Sequence, residues 1–583
     1  MLNNMSIRIG GEAGQGMEST AAGFARALAR GGLYVQVLQD FMSRIRGGHN
    51  FSQIRVSDHP IYAHSRNIQL LLAFNEETIQ MHKGDVVSGG GIIYDSAFAV
   101  DAAELRAMGI TPFALPLTQI AKDIGGDKVM QNTAAVGATA GITGFPFDRI
   151  AEVIAQNFRR KGDAVVNGNL KVARTAYDLA VKDFAHSFDW QIRPTSGGPR
   201  MMLNGNQAIA LGAIAAGCKF ISAYPMTPAT SIIEYMTSKA NRFGILTKQV
   251  EDEIAAILMA IGAANAGVRA MTATSGGGFS LMVEALGMAG ITETPLVVVL
   301  SQRTGPSTGM PTRTEQGDLQ FALHASQGEF PRIVLAPGSI EQCFEAGWRA
   351  FNLAERYQLP VIVLTDLFQA FAQRTVESSD IDLGAVHIDR GALISEEEAA
   401  ELTDYKRHAF TESGISPRLI PGTSKMTVFT TSDEHSERGY IVEDAESRIK
   451  MMEKRMRKLD LAVQEMRDPL LYGPPTADLT LLGWGSTYGA LREAVDTLNA
   501  GGVSVNMLHF SDIWPFPAER VSTLLDNCRY LVDVESNFTG QLASLLREQT
   551  GRKVDHKILR YDGRPLSPED IVERVKNEVM AHV

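Results

Sequence analysis

Three polar segments between residues 222 and 312 carry the side chains with the most chemical use. The first, Ser222-Ala223-Tyr224-Pro225-Met226-Thr227-Pro228-Ala229-Thr230, offers hydroxyls in a turn stiffened by two prolines. Pro228 suits the first turn of a helix with Thr227 as its N-cap. A hydroxyl at the end of a strand is equally placed to meet a ligand, and the two readings are compatible. The second segment is the acidic triplet Glu251-Asp252-Glu253. Residues two apart do not share a helix face, so at most one of its glutamates points into a given pocket. Acidic residues also favour a helix's first turn through the macrodipole, which explains the triplet without any ligand. The third is Gln302-Arg303-Thr304-Gly305-Pro306-Ser307-Thr308-Gly309-Met310-Pro311-Thr312, directly after an apolar run. Its guanidinium is a fork suited to a carboxylate, as in recognition of an organic acid, or else part of an ordinary polar loop. Loops between buried elements are where an α/β protein places its chemistry.

A fourth segment is rich in glycine. Gly10-Gly11-Glu12-Ala13-Gly14-Gln15-Gly16 lies between a strand pattern and a helix pattern, where backbone amides can approach a phosphate. Its spacing departs from the GxGxxG dinucleotide fingerprint, and a tight turn for close packing explains it equally well. Ser43-Arg44-Ile45-Arg46-Gly47-Gly48-His49-Asn50 follows the next strand and either brings charge to the same ligand or forms a solvated face. Asp433-Glu434-His435 lacks metal-ligand spacing and reads as a solvated loop. No HExxH, P-loop or GxSxG occurs.

These segments need strands and helices to hold them. Residues 1–185 read as an α/β domain with strands at Ile7–Ile9, Tyr34–Leu38 and Ile68–Phe74, and a helix spanning Ala21 to Leu28. Residues 186–203 have linker composition. In residues 204–375 a small-residue helix (Ala208–Gly217) precedes the strand Phe220-Ile221-Ser222. A buried helix (Ala255–Ala266) and continuous apolar strands at Pro295–Leu300 and Leu359–Asp366 complete a parallel, doubly wound pattern. Residues 376–475 read as an extended connection ending in a charged helix, Asp444 to Met466, that crosses another subunit or domain. Residues 476–583 form a smaller α/β domain with strands at Leu479–Leu482 and Tyr530–Glu535.

At 583 residues the chain exceeds one core and calls for three or four domains. A net charge of −11 argues against a general nucleic-acid binder, which needs clustered Lys and Arg. Three dispersed cysteines, Cys218, Cys343 and Cys528, form no disulfide framework and no four-cysteine cluster, and no metal site is expected. Nothing resembles a signal peptide. No apolar run approaches the ~20 residues of a membrane span. A reducing cytoplasm is the simplest setting.

Tyr224-Pro225-Met226-Thr227-Pro228, Glu251 to Ala256, Thr274-Ser275-Gly276-Gly277-Gly278-Phe279, Gln302 to Thr312, and Val534-Glu535-Ser536-Asn537 with Gly540-Gln541 together resemble the alpha subunit of 2-oxoacid:ferredoxin oxidoreductases. Gly14-Gln15-Gly16 and Arg46-Gly47-Gly48 resemble that family's gamma subunit, here fused ahead of alpha. The resemblance covers nearly the whole chain, including the linker with Ser416-Pro417-Arg418 and Pro421-Gly422. The fused order and the Arg303-to-Gly309 loop look most like the 2-oxoglutarate branch (2-oxoglutarate synthase).

The resemblance implies a gamma-type α/β domain, a doubly wound domain that binds the pyrimidine of thiamine diphosphate, and a transketolase-C-like domain. It implies that Glu253 hydrogen-bonds the cofactor's pyrimidine nitrogen, with Tyr224 and Pro225 on the cofactor. Thr227, Arg303 and Thr312 would face the substrate carboxylate. Gly14, Gln15, Gly16 and Arg46 are the candidates for coenzyme A. A partner beta subunit with a GDG…N motif and a cysteine cluster would bring magnesium, the diphosphate anchor and a [4Fe-4S] cluster. Gly162-Asp163-Ala164 and Gly317-Asp318-Leu319 here fall short of that motif. The expected assembly is a dimer of heterodimers (a heterotetramer) that passes electrons to ferredoxin. The expected reaction is oxidative decarboxylation of 2-oxoglutarate to succinyl-CoA, or its reverse. The alternatives are the same chemistry on pyruvate or branched-chain 2-oxoacids, a non-catalytic scaffold subunit, and a dinucleotide-dependent dehydrogenase using the Gly10–Gly16 loop.

Overall fold

The computed structural model describes residues 1–43, 47–184 and 186–580, which fall into two compact units. The first comprises Met1–Leu203, Ala372–Asp380 and Ser567–Glu569. Its eight-stranded sheet runs Thr111–Leu115, Val86–Asp95, Ile68–Ala73, Met5–Glu12, His49–Ser57, Tyr34–Asp40, Gln373–Val376, Met201–Leu203. The first four strands are parallel, and each later pairing is antiparallel. Alternation along Met5–Glu12 sorts the faces. Ile7 and Ile9 join the core with Phe24, Ala25 and Leu28 of the helix Met17–Arg30. Arg8 points the other way, to Gln53 (Nη2 to Oε1, 2.8 Å), His82 and Asp85.

The second unit comprises Asn204–Phe371, Ile381–Leu566 and Asp570–Val583. Its seven-stranded sheet runs Asp512–Trp514, Ile333–Leu335, Pro360–Asp366, Leu296–Gln302, Ala270–Thr274, Phe220–Ala223, Leu246–Gln249. All neighbours are parallel except the edge strand Asp512–Trp514. Every residue of Leu296–Gln302 is buried, as a strand covered on both faces requires. A five-stranded sheet follows in the order Leu470–Tyr472, Val505–Phe510, Leu479–Trp484, Tyr530–Glu535, His556–Leu559, antiparallel only at its first pairing.

The polar stretch before that sheet packs against residues 204–371 of its own unit. Two buried carboxylates hold it. Glu355 accepts from Arg269, Arg390 and Arg418, each at 2.8 Å. Glu293, fully buried with φ 53°, accepts from Lys454 and Lys458 of the helix Ala445–Glu465 and from His408 Nδ1 at 3.0 Å. Burial alone would raise the Glu293 carboxyl, but Lys458 and Lys454 outweigh it and hold it well below the usual range. Asp433-Glu434-His435 is therefore no solvated loop. His435 is buried, its ring 4.0 Å from that of His408, and Glu434 takes a forked pair of bonds from Arg455 at 2.9 and 2.7 Å. Glu293, His408 and His435 bring potential metal-ligand atoms within 4.8 Å of one another. Two ammonium groups already occupy that carboxylate, so the cluster is an ion-pair lock and a poor cation site.

Candidate active site

The strands Phe220–Ala223, Ala270–Thr274 and Leu296–Gln302 are parallel neighbours, with Ala270 opposite Phe220 and Thr274 opposite Leu300. Thr227, Ser275 and Arg303 therefore leave the sheet at its carboxyl edge, where such sheets bind ligands. Glu253 begins the helix that follows the adjacent strand, Leu246–Gln249.

Asp252 is that helix's N-cap, accepting from Ala255 N at 2.7 Å, which makes Glu253 the first helical residue and turns its side chain inward. Glu253 is 3% exposed, and its Oε1 has no hydrogen-bond partner. A buried carboxylate oxygen left unpaired costs several kcal/mol in principle, so it marks a place where a donor belongs. Gly278 makes the room for it. A Cβ on Gly278 would lie 2.1 Å from Thr274 Oγ1 and 2.5 Å from Glu253 Oε1. We expect Gly278→Ala to destabilise the fold by about 1–3 kcal/mol through overpacking, read from chemical denaturation. An unchanged midpoint would show that Glu253 swings freely.

Thr227 does not cap a helix. The Thr227–Pro228 peptide is cis, and the helix starts at Thr230 with Ala229 at the cap position and no side-chain cap. Asn206, fully buried, fixes the turn by donating to Pro228 O at 2.8 Å. Of the hydroxyls in this segment, that of Ser222 is consumed structurally on Ala256 O at 2.6 Å. Tyr224 is 38% exposed and Pro225 half-buried.

Arg303 joins the two loops. Its Nη1 donates to Thr227 O at 2.9 Å, and burial lowers its pKa. Among the described residues no carboxylate pairs with it, which leaves the Nε–Nη2 edge for an incoming acid. The loop beyond is tied at its base: Thr304 N donates to Arg313 O (3.0 Å) and Gly305 N to Glu315 Oε2 (3.1 Å). Its tip, 305–310, is exposed, and Thr312 is half-buried. Gly309, at φ 53°, brings its Cβ position to 2.0 Å from Thr304 O, so only glycine fits the turn.

In the first unit Gln15 satisfies its own turn, its Oε1 accepting from Glu12 N at 2.7 Å while its N–H donates to Glu12 O at 3.1 Å. Gly14 (φ 93°) faces open space, and Gly16 (φ 76°) precedes the helix Met17–Arg30. Arg46 lies outside the described residues. Sequence reasoning missed Gly278 as a partner of Glu253, and missed that Arg303 is held by a main-chain carbonyl.

Comparison with known proteins matches three families along the chain. "Pyruvate ferredoxin/flavodoxin oxidoreductase" matches residues 6–179. "Pyruvate flavodoxin/ferredoxin oxidoreductase, thiamine diP-bdg" matches 211–454, and "Pyruvate:ferredoxin oxidoreductase core domain II" matches 477–571. The 2-oxoacid:ferredoxin oxidoreductase subunit alpha of Saccharolobus solfataricus is 33% identical over 98% of this chain and 97% of its own. The 2-oxoglutarate oxidoreductase subunit KorA of Mycobacterium tuberculosis is 29% identical over 94% and 87%. A solved structure of 2-oxoglutarate:ferredoxin oxidoreductase from Magnetococcus marinus, with 2-oxoglutarate, coenzyme A and succinyl-CoA bound, superimposes with a TM-score of 0.92 at 33% identity, covering 98% of this chain and 99% of that one. This multidomain α/β chain, with a thiamine-diphosphate-binding domain at its centre, belongs to the 2-oxoacid:ferredoxin oxidoreductases as an alpha-type subunit.

Proposed function

We propose that this chain is the gamma–alpha fused subunit of a 2-oxoglutarate:ferredoxin oxidoreductase. The reaction takes 2-oxoglutarate and coenzyme A to succinyl-CoA and carbon dioxide, and its two electrons reduce two ferredoxins one at a time. The unpaired Oε1 of Glu253, buried against Gly278 in the thiamine-binding domain, carries this reading.

The residues fit the cofactor. A pyrimidine ring nitrogen placed against Glu253 Oε1 would share a proton with it and so give the buried oxygen the partner it lacks. Bound thiamine diphosphate supplies the carbon nucleophile and the electron sink. Glu253 then holds a proton at Oε1 opposite the ring nitrogen and sets the ring's tautomer. Arg303 offers its free edge to the substrate's carboxylate, with Thr227 and Thr312 beside it. Tyr224 and Pro225 wall the cofactor side. Gly14, Gln15 and Gly16, with Arg46, are our candidates for coenzyme A.

A partner covers part of this unit in our reading. Large apolar side chains stand exposed around Glu253: Ile254 (48%), Leu258 (40%) and Leu281 (51%). Such a patch fits a protein interface. The partner is a beta subunit bearing GDG…N, magnesium and a [4Fe-4S] cluster, in a dimer of heterodimers, within a reducing cytoplasm.

Co-expression with that subunit tests the proposal. The complex should reduce a viologen dye with 2-oxoglutarate and coenzyme A, and the chain alone should not. A higher kcat/KM for pyruvate or a branched-chain 2-oxoacid would move the assignment within the family. Arg303→Ala should lower kcat/KM for the preferred acid by roughly 30- to 100-fold, as expected for losing a charge-assisted contact of ~2–3 kcal/mol.

A further inference from the structure

Gln316 sits thirteen positions after Arg303 and is fully buried. Both its main chain and its side chain are engaged with the five-stranded-sheet domain. Its N–H donates to Ser536 O at 2.7 Å, and its Oε1 accepts from Ser536 N at 2.9 Å. Its Nε2 donates to Trp484 O at 2.8 Å, and its carbonyl accepts from Asn537 Nδ2 at 3.1 Å. The receiving groups are themselves fixed. Glu535, also fully buried, accepts from Trp484 Nε1 at 2.8 Å and from Asn537 Nδ2 at 2.7 Å. Gln541 continues the seam, donating to Gly317 O at 2.7 Å.

The loop's other end is pinned both to the neighbouring strand and to the segment just after Gln316. Gln302 Nε2 donates to Thr365 O at 3.0 Å, and Gln302 Oε1 accepts from Asp318 N at 2.8 Å. Arg303 is thus the first residue of a closed loop whose start belongs to one sheet and whose end is gripped by another. Its guanidinium is held in turn on Thr227 O by Nη1 at 2.9 Å.

We propose that Gln316 is a positioning residue for substrate recognition: through its four bonds to Trp484, Ser536 and Asn537, the C-terminal domain sets the place of Arg303 and Thr312 over the substrate's carboxylate. Gln316 touches neither substrate nor cofactor. The inference rests on reading Arg303 as the grip on the acid. It assigns to the C-terminal domain a part in 2-oxoacid specificity.

The test uses the full complex with its beta subunit. Gln316→Met keeps the side chain's length and the main-chain bonds but removes both side-chain bonds. KM for 2-oxoglutarate should rise about 10- to 100-fold, the order expected when a binding group is misplaced by about an ångström. The cofactor's apparent affinity should be unchanged, and kcat should hold within about threefold by the uniform-binding criterion. In an Arg303→Ala background the same substitution should add almost nothing, because it acts through Arg303. Gln316→Glu keeps the acceptor for Ser536 N but sets a carboxylate oxygen against Trp484 O in a buried place, so KM should rise at least as far as in Gln316→Met. An unchanged KM, a KM effect additive with Arg303→Ala, or an equal loss of cofactor affinity would overturn the proposal. A wild-type complex with no 2-oxoacid turnover would instead refute the functional reading beneath it.

Discussion

Glu253→Gln, in complex with the beta subunit, should reduce 2-oxoacid-dependent dye reduction by about 10²- to 10⁴-fold, the range for losing a group that positions a proton. The reasoning is geometric. Only one carboxylate reaches the carboxyl edge of the sheet from the helix Glu253–Asn265, and its Oε1 has no partner in the folded chain. An amide of the same shape keeps the packing against Gly278 but cannot take the proton. Stability should stay level or rise, because the buried carboxyl whose Oε1 lacks a partner is replaced by an uncharged amide. Lost turnover with an unchanged or higher unfolding midpoint is thus the signature of a functional group. Undiminished turnover would defeat the catalytic role of Glu253 and favour the scaffold reading.

The second large effect is on stability. Glu293→Ala should cost about 3–5 kcal/mol in denaturant unfolding, because Lys454, Lys458 and His408 would be left buried without their counter-charge. Replacing Glu293, Lys454 and Lys458 together by Met should recover most of that loss, since a buried ion cluster and an apolar one of similar volume differ little. The same cluster predicts a pH dependence. The Glu293 carboxyl is held well below its unfolded value of 4.5. Its contribution is fully present above that value and is lost as pH falls through the lower folded one. Wild type should therefore lose stability on acidification more steeply than the triple-Met variant. Parallel acid limbs for the two would show that Glu293 contributes nothing there.

Much of the frame was legible in the sequence because it rests on period and punctuation. The continuous apolar runs ending at Leu300 and Asp366 became fully buried parallel strands, and the charged helix appeared at Ala445–Glu465 inside the expected Asp444–Met466. Local chemistry was less so. Pro228 favours a helix's first turn, yet the helix begins two residues later, because Asn206 and Arg303 claim the carbonyls of Pro228 and Thr227. In Glu251-Asp252-Glu253 the sequence leaves open which glutamate turns inward. That depends on Asp252 taking the cap. The Glu293 lock was invisible, since its lysines lie more than 160 positions away, in the charged stripe of the helix read as crossing another subunit or domain. Only tertiary packing turns that stripe into a buried seam.

The strand Gln373–Val376 pairs with Tyr34–Asp40 and Met201–Leu203 to complete the first unit's sheet. Thr375 Oγ1 accepts from Val35 N at 2.9 Å, and Tyr34 donates to Glu377 at 2.8 Å. During synthesis this strand emerges about 170 residues after Leu203, a delay of roughly ten to thirty seconds at about 5–20 residues per second. Until then Tyr34–Asp40 presents an unpaired edge. A truncation after residue 203 makes that state permanent, so the isolated N-terminal fragment should self-associate through this edge unless a peptide spanning residues 372–380 is supplied.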